Sequence, residues 1–122
     1  MSGGGGQRGT RPVAALVPDL MDRSRIEATG RVAGVSVLFL HDTAELRALG
    51  ADAAGLVIID LDAPGALSAL SELGAVRTLG FASHVERDLL AAASAAGCGE
   101  VVSRAVLFRR LPALLASAPI EP

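Results

Sequence analysis

The sequence predicts an α/β domain with one parallel sheet and helices on both of its faces. Three observations carry this. Five short apolar runs alternate strictly with five segments of helical spacing, an order that builds a parallel sheet through right-handed crossovers. Leu56-Val-Ile-Ile-Asp60 is apolar until its closing Asp, as a central strand buried on both faces requires. Gly30, Gly50, Gly74 and Gly97 follow the helical segments, where a left-handed residue commonly ends a helix.

The elements follow in order. Residues 1–11 are Gly-rich and without periodicity, which predicts a flexible tail. Val13 to Val17 is an apolar run closed by Pro18-Asp19, a strand with Pro at its end rather than inside it. Leu20 to Thr29 has helical spacing and stops at Gly30. Val35 to Leu40 is the second strand, β-branched and aromatic. Asp42 or Thr43 then caps a short helix, Ala44 to Leu49, ended by Gly50. After strand Leu56 to Asp60, Pro64 opens a third helix, where its missing N–H is harmless, and that helix runs to about Leu73. Thr78 to Ala82 is the fourth strand. Ser83-His-Val-Glu86 has the spacing of a capping box and starts a helix running to Ala96. Glu100 to Ser103 is the fifth strand. Ala105 to Ala116 is the last helix, with Pro112 implying a kink or a true start near residue 109. The folded domain is expected over residues 12–118, with 119–122 a short C-terminal tail.

Composition narrows the function. The chain has 122 residues, one domain at roughly 100–200 residues per domain. Eleven basic residues, all Arg, stand against thirteen acidic ones, for a net charge of −2. No basic footprint for nucleic acid follows from this balance, and three Phe with no Trp or Tyr offer no base-stacking platform. A single Cys98 excludes a disulfide framework or a thiolate zinc cluster. The longest uncharged stretch of the first half, Val32 to Leu40, is far below the roughly 20 residues of a membrane span. With no signal-peptide core near Met1, a soluble cytoplasmic protein without nucleic-acid or membrane partners is expected.

In this sheet, ligands bind beyond the carboxyl ends of the strands. Asp19, Asp60, Asp62, Ser83 and Arg104 all fall there. Carboxylates at one rim with a cation across from them suit Mg²⁺ and a phosphoryl group, and a carboxylate can accept a phosphoryl group covalently. The plainer readings stand beside this one. Asp19, Asp60 and Asp62 can cap helices, and Arg104 can pair with Asp60 where a metal would sit. His41, Asp42 and His84 lie on separate loops and spell out no nucleophile with a base partner. Cys98 sits in the Gly97-Cys-Gly99 turn. Gly3 to Gly6 precedes every element and cradles no phosphate. No enzyme activity is expected.

From Val13 to Ser117 the chain resembles the receiver domains of bacterial two-component response regulators. Leu56-Val-Ile-Ile-Asp60-Leu-Asp-Ala-Pro64 is similar to the family's phosphoacceptor strand and loop, and Ala95-Ala-Gly97 to its Ala-Gly step after the fourth helix. The resemblance implies a flavodoxin-like (βα)5 fold, with Asp60 as phosphoacceptor and the backbone carbonyl of Asp62 at Mg²⁺. It also implies Arg104 in the place of the family's Lys. A histidine kinase or another signalling protein would be the partner. The family's contact face of fourth helix, fifth strand and fifth helix would here carry Arg87, Ala91, Val106, Phe108, Arg109 and Arg110, and a homodimer through it is expected.

The departures are specific. Pro18-Asp19 stands where the family has two acids, Ala82 where it has Ser or Thr, Val101 where it has an aromatic switch residue, and Ala105 where it has Pro. The segment from Asp60 to the fourth strand is shorter than usual. Fewer carboxylates weaken the hold on Mg²⁺, which phosphoryl transfer needs to neutralise developing charge. A switch also needs a bistable element to bias, which Ala82 and Val101 do not offer. The expectation is therefore an atypical, or pseudo-, receiver that works by protein contact without phosphorylation. The alternative is a genuine single-domain regulator phosphorylated on Asp60.

Overall fold

The computed structural model describes residues 12–49, 54–73 and 76–116. Its elements are β1 (Val13–Leu16), α1 (Leu20–Ala33), β2 (Val37–Leu40), α2 (Thr43–Ala48), β3 (Leu56–Asp60), α3 (Ala66–Leu70), β4 (Thr78–Ala82), α4 (Arg87–Ala95), β5 (Glu100–Ser103) and α5 (Arg104–Ala116). The five strands form one parallel sheet in the order β2-β1-β3-β4-β5. The expected doubly wound sheet is therefore present.

Side-chain parity divides the core in two. Val13 and Ala15 of β1, Leu56 and Ile58 of β3, Leu79 and Phe81 of β4 and Val102 of β5 face α1 and α5, meeting Ile26, Leu107, Leu111 and Leu115. Ala14, Leu16, Val57, Ile59 and Ala82 face the other way, onto Leu46, Ala66, Ala69, Leu70 and Ala93 of α2, α3 and α4. β3 and β4 are buried at every position, as central strands with two covered faces must be. Among the described residues, no helix is long and apolar enough to cross a membrane.

Several helix ends differ from expectation. α1 passes through Gly30 and ends at Gly34, whose φ of 75° supplies the left-handed cap. Gly30 lies inside the helix, and a Cβ there would come within 2.8 Å of the Val35 carbonyl oxygen. It is a close-approach glycine rather than a stop. α3 ends at Leu70, not Leu73, and starts after Gly65, so Pro64 lies in the loop before it. α4 starts at Arg87 with Glu86 as an N-cap that makes no side-chain bond, so there is no Ser83–Glu86 capping box. A reciprocal arrangement forms at α2 instead. Asp42 Oδ1 accepts the Glu45 N–H, and Glu45 Oε1 accepts the His41 N–H, which with the His41 ring holds the Glu45 carboxyl below its ordinary range. α5 begins at Arg104 and continues through Pro112, so a start near residue 109 is not observed. Ser103 Oγ accepts the Val106 N–H at its first turn. The expected tails and the stops at Gly50 and Gly74 lie outside the described residues.

Candidate functional site

Asp60 closes the central strand. It has the parity of Leu56 and Ile58, so its side chain faces the α1–α5 side of the sheet at the carboxyl rim, and it is only 6% exposed. Its Oδ1 accepts the Asp62 backbone N–H at 2.9 Å. Burial pushes the Asp60 carboxyl above its ordinary range. The Asp62 N–H and the Arg104 charge oppose that, and the Asp62 and Asp22 charges add to it.

Asp22, which sequence reasoning passed over, completes the rim. It lies in the first turn of α1 on the buried stripe Asp22, Ile26, Gly30 and is 5% exposed. A first-turn Asp reads as an ordinary dipole partner. Its i, i+4, i+8 register with Ile26 and Gly30 was the available signal that it points inward.

Arg104 does not pair with Asp60 as expected. Its Nε lies 3.2 Å from Asp22 Oδ2. The two atoms are buried and not aligned for a hydrogen bond with each other or with any other group, so the contact is between charges. Arg104 opens α5 and Asp22 opens α1, two helices packed side by side on one face, which brings the guanidinium to the helix acid before the strand acid.

The other candidate residues do not converge. Asp19 accepts the Asp22 N–H at 2.9 Å as the N-cap of α1. Asp62 caps no helix, and its Oδ2 instead lies 3.3 Å from the Ser83 N–H across the β3 and β4 loops. Among the described residues, no group of three or more His, Cys, Asp or Glu side chains is placed to hold a metal ion. Arg104 supplies the positive charge beside Asp22. The residues present do not fit Mg²⁺.

The expected contact face also divides. Phe108 packs against the α1–α5 core and carries the Arg25 guanidinium 3.8 Å from its ring centroid. Phe108 and Arg109 line a groove with Arg25, Ser83, Arg104 and Ala105, which places them towards α1. Arg110 pairs with Glu100 at the edge strand β5, holding the Glu100 carboxyl below its ordinary range. Arg87 is exposed at the start of α4. The reason is helical geometry: successive α5 residues turn by about 100°, so Phe108, Arg109 and Arg110 cannot share one face. Ala82 and Val101 both side with the α2–α4 half of the core.

No family model matches the chain, and no curated protein matches it. Solved structures match its fold over nearly its whole length. The Mn²⁺-bound form of response regulator Rcp1 aligns at a TM-score of 0.75 and 12% identity, covering 92% of this chain and 99% of that one. The phosphorylated cyanobacterial phytochrome response regulator RcpA aligns at 0.77 and 14%, covering 93% and 99%. A response regulator from Hahella chejuensis aligns at 0.77 and 16%, covering 88% and 93%. The fold is that of response-regulator receiver domains.

Proposed function

We propose that this chain is an atypical receiver domain that acts in bacterial signalling as a protein–protein interaction module, independently of phosphorylation. The observation that carries the reading is the Asp22–Arg104 pair at 3.2 Å. A receiver rim that accepts a phosphoryl group needs carboxylates open to Mg²⁺ and a cation ready for the incoming oxygens. Here the buried acid of α1 holds that cation, Asp19 holds its helix end, and Asp60 turns Oδ1 to the Asp62 amide. Ala82 and Val101 support the same reading, since neither hydroxyl nor aromatic stands there to transmit a charge change. The partner is another signalling protein, such as a histidine kinase, or a second copy of the chain. A homodimer would use the α5 surface around Arg109 and Arg110, and light scattering of Arg109→Glu/Arg110→Glu, expected monomeric, tests that placement.

Amide NMR during titration with Mg²⁺ and then beryllofluoride, a phosphoryl stand-in, tests the main reading. A flat response at Asp60, Asp62 and Arg104 to millimolar Mg²⁺ is expected. Shifts clustered at these residues and lost in Asp60→Asn would overturn it and establish a phosphoacceptor regulator.

A further inference from the structure

The groove between α1 and the start of α5 shares Arg104 and Arg109 with the surface discussed above, and adds Arg25, Ser83 and Phe108, which that reading does not use. It is an open groove of about 620 Å³, lined by Arg25, Ser83, Arg104, Ala105, Phe108 and Arg109. Three of the six are arginines and none is acidic, in a chain whose net charge is −2. Among the described residues, Arg25 and Arg109 have no carboxylate partner, whereas Arg31, Arg47 and Arg110 each do. Arg104 is paired with Asp22, so the groove holds two unneutralised guanidiniums, those of Arg25 and Arg109, with no acidic residue in its lining.

Its geometry is also organised. The Arg25 guanidinium lies 3.8 Å over the Phe108 ring, a stack that holds its plane while leaving its in-plane N–H donors available. Ala105 is in the first turn of the 13-residue α5, whose positive end faces anions. Ser83 adds a hydroxyl from the loop after β4. Planar guanidinium forks, a helix N-terminus and a hydroxyl are donors suited to phosphate oxygens. Arg104 is held by Asp22, which leaves Arg25 and Arg109, one guanidinium for each of two linked phosphates.

We infer that this groove binds a small molecule bearing a pyrophosphate group, of the nucleoside-diphosphate kind. The test is a titration of the whole chain with inorganic pyrophosphate, and in parallel with ADP, followed by amide NMR at low salt. Saturable shifts at Arg25, Ser83, Ala105, Phe108 and Arg109 are expected. Arg109→Gln should weaken the apparent Kd about tenfold, the loss of one charge-assisted contact, and Arg25→Gln/Arg109→Gln should abolish binding. Arg87→Gln, on exposed α4, should leave the Kd unchanged. Tighter binding of ADP than of pyrophosphate would mark a nucleotide as the source, and equal binding a free pyrophosphate. No saturation up to 10 mM (roughly the weak end of specific binding), or shifts spread equally over Arg31, Arg47 and Arg77, would overturn the inference. So would an acidic peptide that binds as tightly as pyrophosphate, which would make the groove a protein-docking surface.

Discussion

Removing Arg104 should expose how much the rim depends on its built-in cation. At 3.2 Å, two unit charges attract by about 5 kcal/mol at an effective dielectric of about 20, and by about 1.3 kcal/mol in water. The Asp22 side chain is 8% exposed and that of Arg104 40% exposed, so the pair lies between these limits. Breaking a fully buried pair costs about 3–5 kcal/mol, and an exposed pair about 0–1 kcal/mol. For Arg104→Met we expect a loss of about 2–3 kcal/mol, because Asp22 is left charged and buried. With a urea slope of about 1–1.5 kcal/mol/M for a domain of this size, the unfolding midpoint should fall by about 2 M. Asp22→Asn should cost about 1 kcal/mol, since Arg104 can still reach water. The double variant Asp22→Asn/Arg104→Met should recover most of the Arg104→Met loss, as apolar replacements of buried pairs do. The assay is urea unfolding of the four proteins, read as a double-mutant cycle. A coupling below about 0.5 kcal/mol would refute the reasoning, for the pair would then be an ordinary surface contact and Arg104 would be available to an incoming ligand.

Two further outcomes follow from the same core. Asp60 has its carboxyl raised above the ordinary 3.8 by burial, so the folded state holds its proton more tightly than the unfolded chain. Stability must then fall as pH rises from about 3.8 through the raised value. Asp60→Asn keeps an acceptor for the Asp62 N–H and removes the charge. It should raise the melting temperature at pH 7 and leave it unchanged at pH 3, and an equal gain at both would disprove the burial argument. Gly80→Ala should destabilise by about 1–3 kcal/mol, because its Cβ would lie 2.9 Å from the buried Leu61 side chain. Adding Leu61→Val should restore part of that loss in the same urea assay.

How much was legible in the chain depends on the range of the interactions involved. All five strands and the parallel sheet were readable from apolar runs and their alternation, because burial on two faces keeps β3 apolar up to Asp60 and β4 free of polar side chains after Thr78. Asp60 itself was readable as the acid ending the central strand. The helix ends were less so. Gly30 reads as a stop, yet the helix runs on to a left-handed cap at Gly34, and the Val35 carbonyl packs where a Gly30 Cβ would lie. Ser83-x-x-Glu86 and Asp42-x-x-Glu45 carry the same local signal, yet the Ser83 amide is held by Asp62 across two loops while Asp42 caps as written. Local spacing could not distinguish them, because the competing partner is 21 residues away.

The site shows the same division more sharply. Residue types and strand ends, which are local properties, placed Asp60 and Arg104 at one rim. Which acid meets Arg104 was decided only by the packing of α1 beside α5, since pairing energy falls with distance and the distances come from helix–helix contact. That packing joined Asp22 to Arg104 and Arg25 to Phe108, two contacts between helices more than seventy residues apart in the chain. The sequence by itself determined the sheet, its order of burial and the acid at its centre. Tertiary structure alone decided that the rim's cation is already held and that three arginines share a groove.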